Sequence, residues 1–302
     1  MKKALLVSAI FALVLMACDK VENAYPPNLT GLDTSLYPND WATYVYPTFT
    51  PNTNTDRNVL IEDFTGHKCT FCPPAAVIAH DLEDAHPGRV FTSAIHSGPL
   101  GTKTGFQATD ATIFTYDFTN PVGLEIGLYF GTINGSNFFG NPSGNVSRVP
   151  YNGKYSNEPV KWSPATDIIL NANDLKVNLQ SVVNYYPSTK GAFVHVEVDV
   201  LDAALTDLSL VVAFYQDSIV KPQAFPGSND LNYVHRDLLK AHINGNMFGQ
   251  TLSEDKKVNG KYYYDYSYRL PDEYPAENAH FLIYVVDKLT LEVYQVIKKE
   301  IL

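Results

Sequence analysis

Hydrophobic and polar positions follow one pattern in the first half of the chain. Continuous apolar runs at 59–61 and 90–95 are typical of strands buried on both faces of a sheet. Between them, apolar residues recur at helical spacing over 75–84, and His86-Pro87-Gly88 is expected to end that helix. This order predicts a βαβ unit with a right-handed crossover.

The chain that follows this unit is less regular. Residues 110–118 and 122–128 have the character of helix or loop, interrupted by Pro121, and a strand is predicted at 145–149. Residues 58–161 are therefore predicted to form a mixed α/β domain.

Alternation with a period of two begins at about residue 162 and predicts a domain boundary at 161–162. Half-buried strands separated by turn residues favour an all-β, Ig-like antiparallel sandwich over 162–302. The clearest rows lie at 175–180, 194–200, 262–268, 281–287 and 289–297. Four tyrosines share one row and are interpreted as a core face rather than an exposed contact surface: Tyr262, Tyr264, Tyr266 and Tyr268.

The N-terminus has the pattern of a targeting segment. Lys2 and Lys3 precede an apolar run over 4–17 that is broken only by Ser8 and is too short to span a bilayer. Residues 1–17 are therefore predicted to be a signal peptide. Residues 18–57 are rich in proline and lack sustained periodicity, which predicts an extended or irregular tether.

Cys18 follows the apolar run directly, in the sequence Leu15-Met16-Ala17-Cys18. This sequence resembles the bacterial lipobox, which implies cleavage before Cys18, lipid on its sulfur and an acyl chain, such as palmitate, on the new amine. Several acyl chains together give stable anchoring. The alternative is an ordinary secretory signal followed by a chance cysteine. Lipid on Cys18 is the membrane contact that the sequence predicts.

Composition limits the classes of partner and cofactor. The chain is 45% hydrophobic and contains 20 Tyr and 16 Phe, which favours strands and a substantial core. A net charge of −10 argues against a nucleic-acid partner, because phosphate binding needs a concentrated Lys/Arg surface. The sequence contains no P-loop, Rossmann fingerprint or G-x-S-x-G motif, and no cofactor is predicted.

Three cysteines are present, and two of them form a C-x-x-C pair between the first predicted strand and helix. An oxidising envelope favours a disulfide between Cys69 and Cys72. The amides at a helix N-terminus stabilise a thiolate, so Cys69 is predicted to be an exposed, attacking sulfur. Cys72 is predicted to be the shielded sulfur that resolves the mixed disulfide.

A strand, a short loop, C-x-x-C and a helix in this order resemble thioredoxins. The resemblance implies a buried acid that carries the proton of the resolving thiol, and Asp63 stands at the expected position. Its neighbour Glu62 lies on the opposite face of the strand, and the sequence leaves open which of the two faces the cysteines. The resemblance also implies a cis-proline facing the disulfide, for which Pro142 is the candidate. The alternative for Pro142 is an ordinary turn before a strand.

A larger set of motifs resembles the outer-membrane-protein-28-related lipoproteins. The similarity covers about 58–302 and implies a thioredoxin-like domain followed by a β-sandwich. Asp237 and Lys240 depart from the family, because a histidine and an arginine are expected there. The residues that carry the resemblance are 59–66, Cys69, Cys72, Pro73, Pro142-Ser143-Gly144, Arg148, Tyr233-Val234-His235 and Asn244-Gly245.

Two features weaken a redox interpretation. Lys68 replaces the tryptophan that usually precedes the first cysteine of thioredoxins. Pro73 and Pro74 suit the first turn of a helix, so the helix is expected to begin near Cys72 and to leave Cys69 off its N-terminus. The alternative is a disulfide that only staples a loop. A metal site at His67 with the cysteines is disfavoured, because structural zinc needs four ligands.

The leading hypothesis is an outer-membrane lipoprotein that exchanges disulfides with envelope proteins. The candidate oxidoreductase site consists of Cys69, Cys72, Asp63 or Glu62, and Pro142. The rival hypothesis is a non-enzymatic binding or adhesin-like lipoprotein with a structural disulfide. The client, the direction of electron flow and the membrane face are left open.

Overall fold

The computed structural model describes residues 31–302. The predicted signal peptide and Cys18 lie outside these residues. Three α-helices are described: α1 (Cys72–Ala85), α2 (Pro121–Thr132) and α3 (Trp162–Ala172). The strands that precede α3 are β1 (Val59–Thr65), β2 (Val90–His96) and β3 (Ser143–Val146).

The remaining strands all follow α3. They are β4 (Val177–Tyr186), β5 (Gly191–Val200), β6 (Leu208–Gln216), β7 (Ile219–Val220), β8 (Gln223–Phe225), β9 (Ser228–Asp230), β10 (Val234–His235), β11 (Leu238–His242), β12 (Gln250–Thr251), β13 (Lys257–Val258), β14 (Lys261–Arg269), β15 (Ala279–Asp287) and β16 (Val293–Glu300).

The predicted strand–helix–strand unit is present. Strands β1 and β2 are parallel and in register from Val59↔Val90 to Thr65↔His96, and β3 is antiparallel to β1. The buried face of α1 packs on both strands through Ala75, Ala79 and Leu82, as its apolar spacing predicts. The helix begins at Cys72 with prolines in its first turn. Proline suits these positions because the backbone N–H groups of a first turn have no partner within the helix.

The weaker predictions between β2 and β3 are resolved in two ways. Residues 110–118 form no regular helix. The segment 122–128 is helical because Pro121 is the first residue of α2 rather than an interruption, and the Asn120 side chain accepts a hydrogen bond from the Gly123 amide at 2.8 Å. Gly131 allows α2 to lie close to the chain after β2, since a Cβ there would be 1.8 Å from the Pro99 carbonyl oxygen.

One mixed sheet spans the predicted domain boundary. Its strand order is β16-β15-β6-β11-β2-β1-β3, and β12 also pairs with β6. The junction is the parallel pairing of β11 with β2, where the Ala94 amide donates to the Asp237 carbonyl oxygen at 2.8 Å. The division at 161–162 stays a prediction, and strands from both sides of it share this sheet.

The second sheet has the order β13-β14-β5-β4 and packs against the first. Val196 and Tyr264 from this sheet meet Phe214 and Ile283 from the other in one core cluster. Tyr262 and Tyr266 also point into this core, which confirms the interpretation of the tyrosine row. Two layers of antiparallel strands therefore bury the core of the second half.

The predicted strands of the second half are present with shifted ends. The last strand begins at Val293 rather than at Leu289, because residues 288–292 turn. In this turn, the Asp287 carboxylate accepts from the Leu289 amide at 2.7 Å and the Thr290 amide at 3.1 Å.

Residues 31–57 form short 3₁₀ turns and irregular chain that lie against the second sheet. The Tyr44 hydroxyl is 2.6 Å from His195 Nε2, and the Asn52 amide donates to the Leu179 carbonyl oxygen at 3.0 Å. Trp41 and Tyr44 stack on each other beside Phe193. The described part of the predicted tether is thus irregular, as expected, but it is docked on the sheet. Within residues 31–302, no helix is both long and apolar enough to span a bilayer.

Candidate functional site

Cys69 and Cys72 form the predicted disulfide, with their Cα atoms 5.4 Å apart. Cys72 is the first residue of α1, and Cys69 lies in the loop between β1 and this helix. The amides of the first helical turn therefore follow Cys72 rather than Cys69. The helix-terminal stabilisation expected for a Cys69 thiolate is correspondingly weakened.

The expectation that Cys69 is exposed is wrong. Both cysteines are 1% exposed. Gln223 on β8 covers the loop, and its side-chain amide donates to the carbonyl oxygens of Cys69 at 3.0 Å and Gly66 at 3.3 Å. The Ala224 amide donates to the His67 carbonyl oxygen at 2.8 Å. The cover comes from a segment about 150 residues away in sequence, which no local pattern could indicate.

Asp63 is the strand residue that faces the cysteines. It lines a cavity of about 30 Å³ together with Cys72, His80 and His96, which is room for a water molecule. Asp63 is 1% exposed, and one of its carboxylate oxygens has no hydrogen-bond partner. Burial raises the pKa of Asp63 to about 8, so the carboxyl group is protonated at neutral pH.

Glu62 faces the other side of β1 and is buried in an ion pair. The Arg148 guanidinium donates to the two Glu62 carboxylate oxygens at 2.9 and 2.7 Å, and the Asn145 amide adds a third bond at 3.2 Å. The side chains of Glu62 and Arg148 are 2% and 0% exposed. The Arg148 guanidinium also lies over the rings of Phe130 and Tyr284. Glu62 therefore has a structural role as the partner of Arg148, and it does not line the cavity beside Cys72.

The Asn141–Pro142 peptide bond is cis, as predicted, and leads directly into β3. The Asn141 side-chain amide donates to the carbonyl oxygens of Thr65 at 3.2 Å and Ser97 at 2.9 Å. These bonds hold the proline loop at the carboxyl ends of β1 and β2. The loop and the cysteine loop thus lie at the same edge of the sheet.

Three histidines gather beside the disulfide. His67, His96 and His235 pack around Phe118 with ring centroids 5.5, 4.4 and 4.3 Å from it. Burial lowers the pKa of each imidazole, to about 4 for His235, so all three are neutral at pH 7. Among residues 31–302, no three Cys, His, Asp or Glu side chains are grouped to hold a metal ion.

Asp237, which departs from the expected family pattern, lies in a second polar group at the sheet junction. Its carboxylate is 3.4 Å from His80 Nε2, 3.7 Å from His280 Nε2 and 3.6 Å from Lys298 Nζ. Burial would raise the pKa of Asp237, but the interaction with the His80 side chain and the nearby charge of Lys298 hold it below its ordinary value. Lys240 is enclosed by Tyr116, Phe118 and Tyr274, and burial lowers its pKa to about 8.

Comparison with known protein families places the chain in a class of outer-membrane proteins of the cell envelope. The model of the family "Outer membrane protein Omp28" matches residues 133–302. The chain belongs to the Omp28 family. Its location is therefore the cell envelope, at the outer membrane. No curated protein matches the chain.

Two solved structures from Porphyromonas gingivalis are similar to the chain. HBP35 superposes with a TM-score of 0.61 at 15% identity, over 81% of this chain and 75% of that one. A domain of the outer membrane lipoprotein Omp28 matches with a TM-score of 0.30 at 24% identity, over 42% of this chain and 89% of that one. The likeness to HBP35 concerns the fold alone.

Arg148→Met should destabilise the protein strongly. The substitution leaves the Glu62 carboxylate buried without its partner, which costs about 3–5 kcal/mol of the free energy of unfolding. Combining it with Glu62→Gln should recover most of that loss. Urea unfolding of the single and double variants measures both effects. Lys103→Met removes an ion pair whose side chains are 64% and 38% exposed and should cost less than about 1 kcal/mol. Equal losses of unfolding free energy in Arg148→Met and Lys103→Met would refute the view that Glu62 and Arg148 form a buried, stabilising ion pair.

Asp63→Asn should remove a pH-dependent loss of stability. The pKa of Asp63 rises from an ordinary value of 3.8 to about 8 on folding. Because the unfolded chain then releases this proton first, the free energy of unfolding falls as pH rises from about 4 to 8. Relative to wild type, the variant should gain up to ~4 kcal/mol between pH 5 and pH 8 in urea unfolding, at ~1.4 kcal/mol per unit. The control Asp81→Asn alters an exposed carboxylate on α1 and should follow wild type. A wild-type pH dependence in Asp63→Asn would contradict the burial of a neutral carboxyl group.

Proposed function

We propose that the protein is a lipid-anchored, non-enzymatic binding lipoprotein of the outer membrane, and that Cys69–Cys72 is a structural disulfide. The signal peptide over 1–17 and acylation of Cys18 are part of this proposal and are supported by the lipobox-like sequence and by family membership. Lipid would then provide the attachment to the membrane. Net charge and family give no reason to expect a nucleic-acid partner.

The proposal includes a thioredoxin-like unit over 58–161 and an Ig-like sandwich within 162–302, whose strands begin after α3. The first is supported by the order β1-α1-β2, by the antiparallel β3 next to β1 and by a cis-proline before β3. The second is supported by the two layers of antiparallel strands. Because one sheet contains strands of both regions, we propose that the two regions fold together rather than as independent domains.

A single observation carries the structural role of the disulfide: both cysteines are 1% exposed and lie beneath β8. A client thiolate has to reach a sulfur atom in line with the bond that breaks, and the cover blocks that approach. Exposed apolar side chains occur on loops around this edge of the sheet, where a partner would make contact. Phe71 is 68%, Leu100 70% and Phe139 87% exposed.

Thiol–disulfide exchange with an envelope protein is the second candidate, favoured by the cavity that Asp63 shares with Cys72. A client thiolate would attack the Cys69 sulfur, and the Cys69–Cys72 bond would break. Cys72 would leave as a thiolate and take the proton of the neutral Asp63 carboxyl group. The second client thiol would then release Cys69, so that the client is oxidised and the protein reduced.

A mixed-disulfide trap separates the two candidates. In the structural case, Cys72→Ala captures no envelope proteins through Cys69, and the wild type adds nothing to the reduction of insulin by dithiothreitol. Loss of the disulfide in Cys69→Ala/Cys72→Ala should lower the free energy of unfolding by about 2 kcal/mol, as expected for a short loop. That double variant is also the control for adducts. Adducts that need Cys69, with insulin reduction above the control, would reject the structural role in favour of exchange.

A further inference from the structure

The segment that covers the disulfide is a distinct excursion between two strands of the large sheet. It leaves the sheet after β6 and returns at β11, and it carries four short strands. Its base is closed by pairing of β7 with β10, with His235 Nε2 3.2 Å from the Lys221 carbonyl oxygen. Its outer part is the hairpin of β8 and β9, which turns at Gly227 with φ +76°. We call residues 219–235 the lid.

The lid is held over the cysteines by few bonds. Gln223 and Ala224 are 3% and 8% exposed and make all the hydrogen bonds to the cysteine loop described above. The tip beyond them has little burial: β9 is exposed along its length, and Leu231 is 58% exposed. The hairpin of β8 and β9, which these few bonds anchor, therefore opens at a lower free energy than the base of the lid, where His235 is buried against Phe118.

The lid also closes the cavity that contains Asp63. Tyr233 and His235 line this cavity together with Asp63 and Cys72. Displacing the lid would therefore uncover the disulfide and admit water to the neutral carboxyl group in one movement. The excursion is bracketed by Ser218 and Asp237, whose backbones are left-handed at φ +58° and +48°.

We propose that residues 219–235 are a lid that controls chemical access to the Cys69–Cys72 disulfide, and that the Gln223 amide is the latch that keeps it closed. The closed lid accounts for a disulfide that is buried at the surface end of a sheet. Local opening, not global unfolding, is the route by which a reductant reaches Cys69. A biological use for this opening depends on the second candidate function, thiol–disulfide exchange. The existence of the lid does not depend on it.

The test is the rate at which the disulfide of the full-length lipoprotein, extracted in detergent, is reduced under native conditions. Tris(2-carboxyethyl)phosphine is the reductant, and a maleimide-linked polyethylene glycol traps each thiol as a gel shift. Gln223→Ala removes the latch, and Gln223→Met removes it while keeping the length of the side chain. Gln180→Ala is the matched control, because Gln180 lies on β4 of the second sheet, away from the lid, and its side-chain amide donates to the Thr50 carbonyl oxygen at 2.8 Å.

Both Gln223 variants should be reduced about tenfold faster than wild type, as expected from the loss of about one net hydrogen bond. Gln180→Ala should keep the wild-type rate. Wild-type reduction should also be insensitive to urea well below the unfolding transition, since local opening exposes little surface.

Equal rates in wild type and both Gln223 variants would overturn the proposal. A wild-type rate of reduction that rises with urea in parallel with global unfolding would also overturn it. This measurement does not require any variant to fold. Faster reduction of the Gln223 variants without adducts or insulin reduction supports the lid and rejects exchange. Faster reduction together with adducts through Cys69 supports both.

Discussion

The buried ion pair between Glu62 and Arg148 is the interaction on which the arrangement of the site depends. Glu62 belongs to β1, Arg148 follows β3, and the guanidinium lies between the rings of Phe130 on α2 and Tyr284 on β15. Two charges removed from water are tolerated only when they satisfy each other, so the pair fixes the register of these elements. Since neighbouring strand residues face opposite sides, fixing Glu62 directs Asp63 into the cavity beside Cys72.

Local features of the fold could be predicted from the sequence because local forces produce them. Strands β1 and β2 are buried on both faces, whereas α1, β5 and β14 each turn one apolar face into a core. Each kind of burial produces its own spacing of apolar residues, and this spacing can be recognised in the sequence. The pairing of Cys69 with Cys72 and the cis bond at Pro142 likewise follow from nearby residues and the thioredoxin resemblance. Residues 208–216 and α3 carried signals of the same kind that sequence reasoning passed over.

The features that decide function come from long-range contacts. Gln223 reaches Cys69 across more than 150 residues of chain, and the parallel pairing of Leu238 with Ala94 joins the two predicted domains in one sheet. Neither contact can be predicted from local sequence, because the residues around Gln223 do not indicate which distant loop this glutamine covers. The sequence could not decide whether Asp63 or Glu62 faces the cysteines for the same reason. The answer depends on the ion pair between Glu62 and Arg148, and nothing in the sequence indicates that these two residues meet.

The central claim is that cover by the lid, rather than the C-x-x-C sequence, sets the chemistry of the disulfide. The reduction potential of the Cys69–Cys72 pair, measured by equilibration with glutathione and with thioredoxin, tests this claim most directly. Because Gln223 and Ala224 bond to the cysteine loop in its disulfide-bonded form, the lid should stabilise the oxidised state, and the account predicts a potential below about −300 mV, the range of structural disulfides. A potential near that of protein disulfide isomerase, about −180 mV, would contradict it.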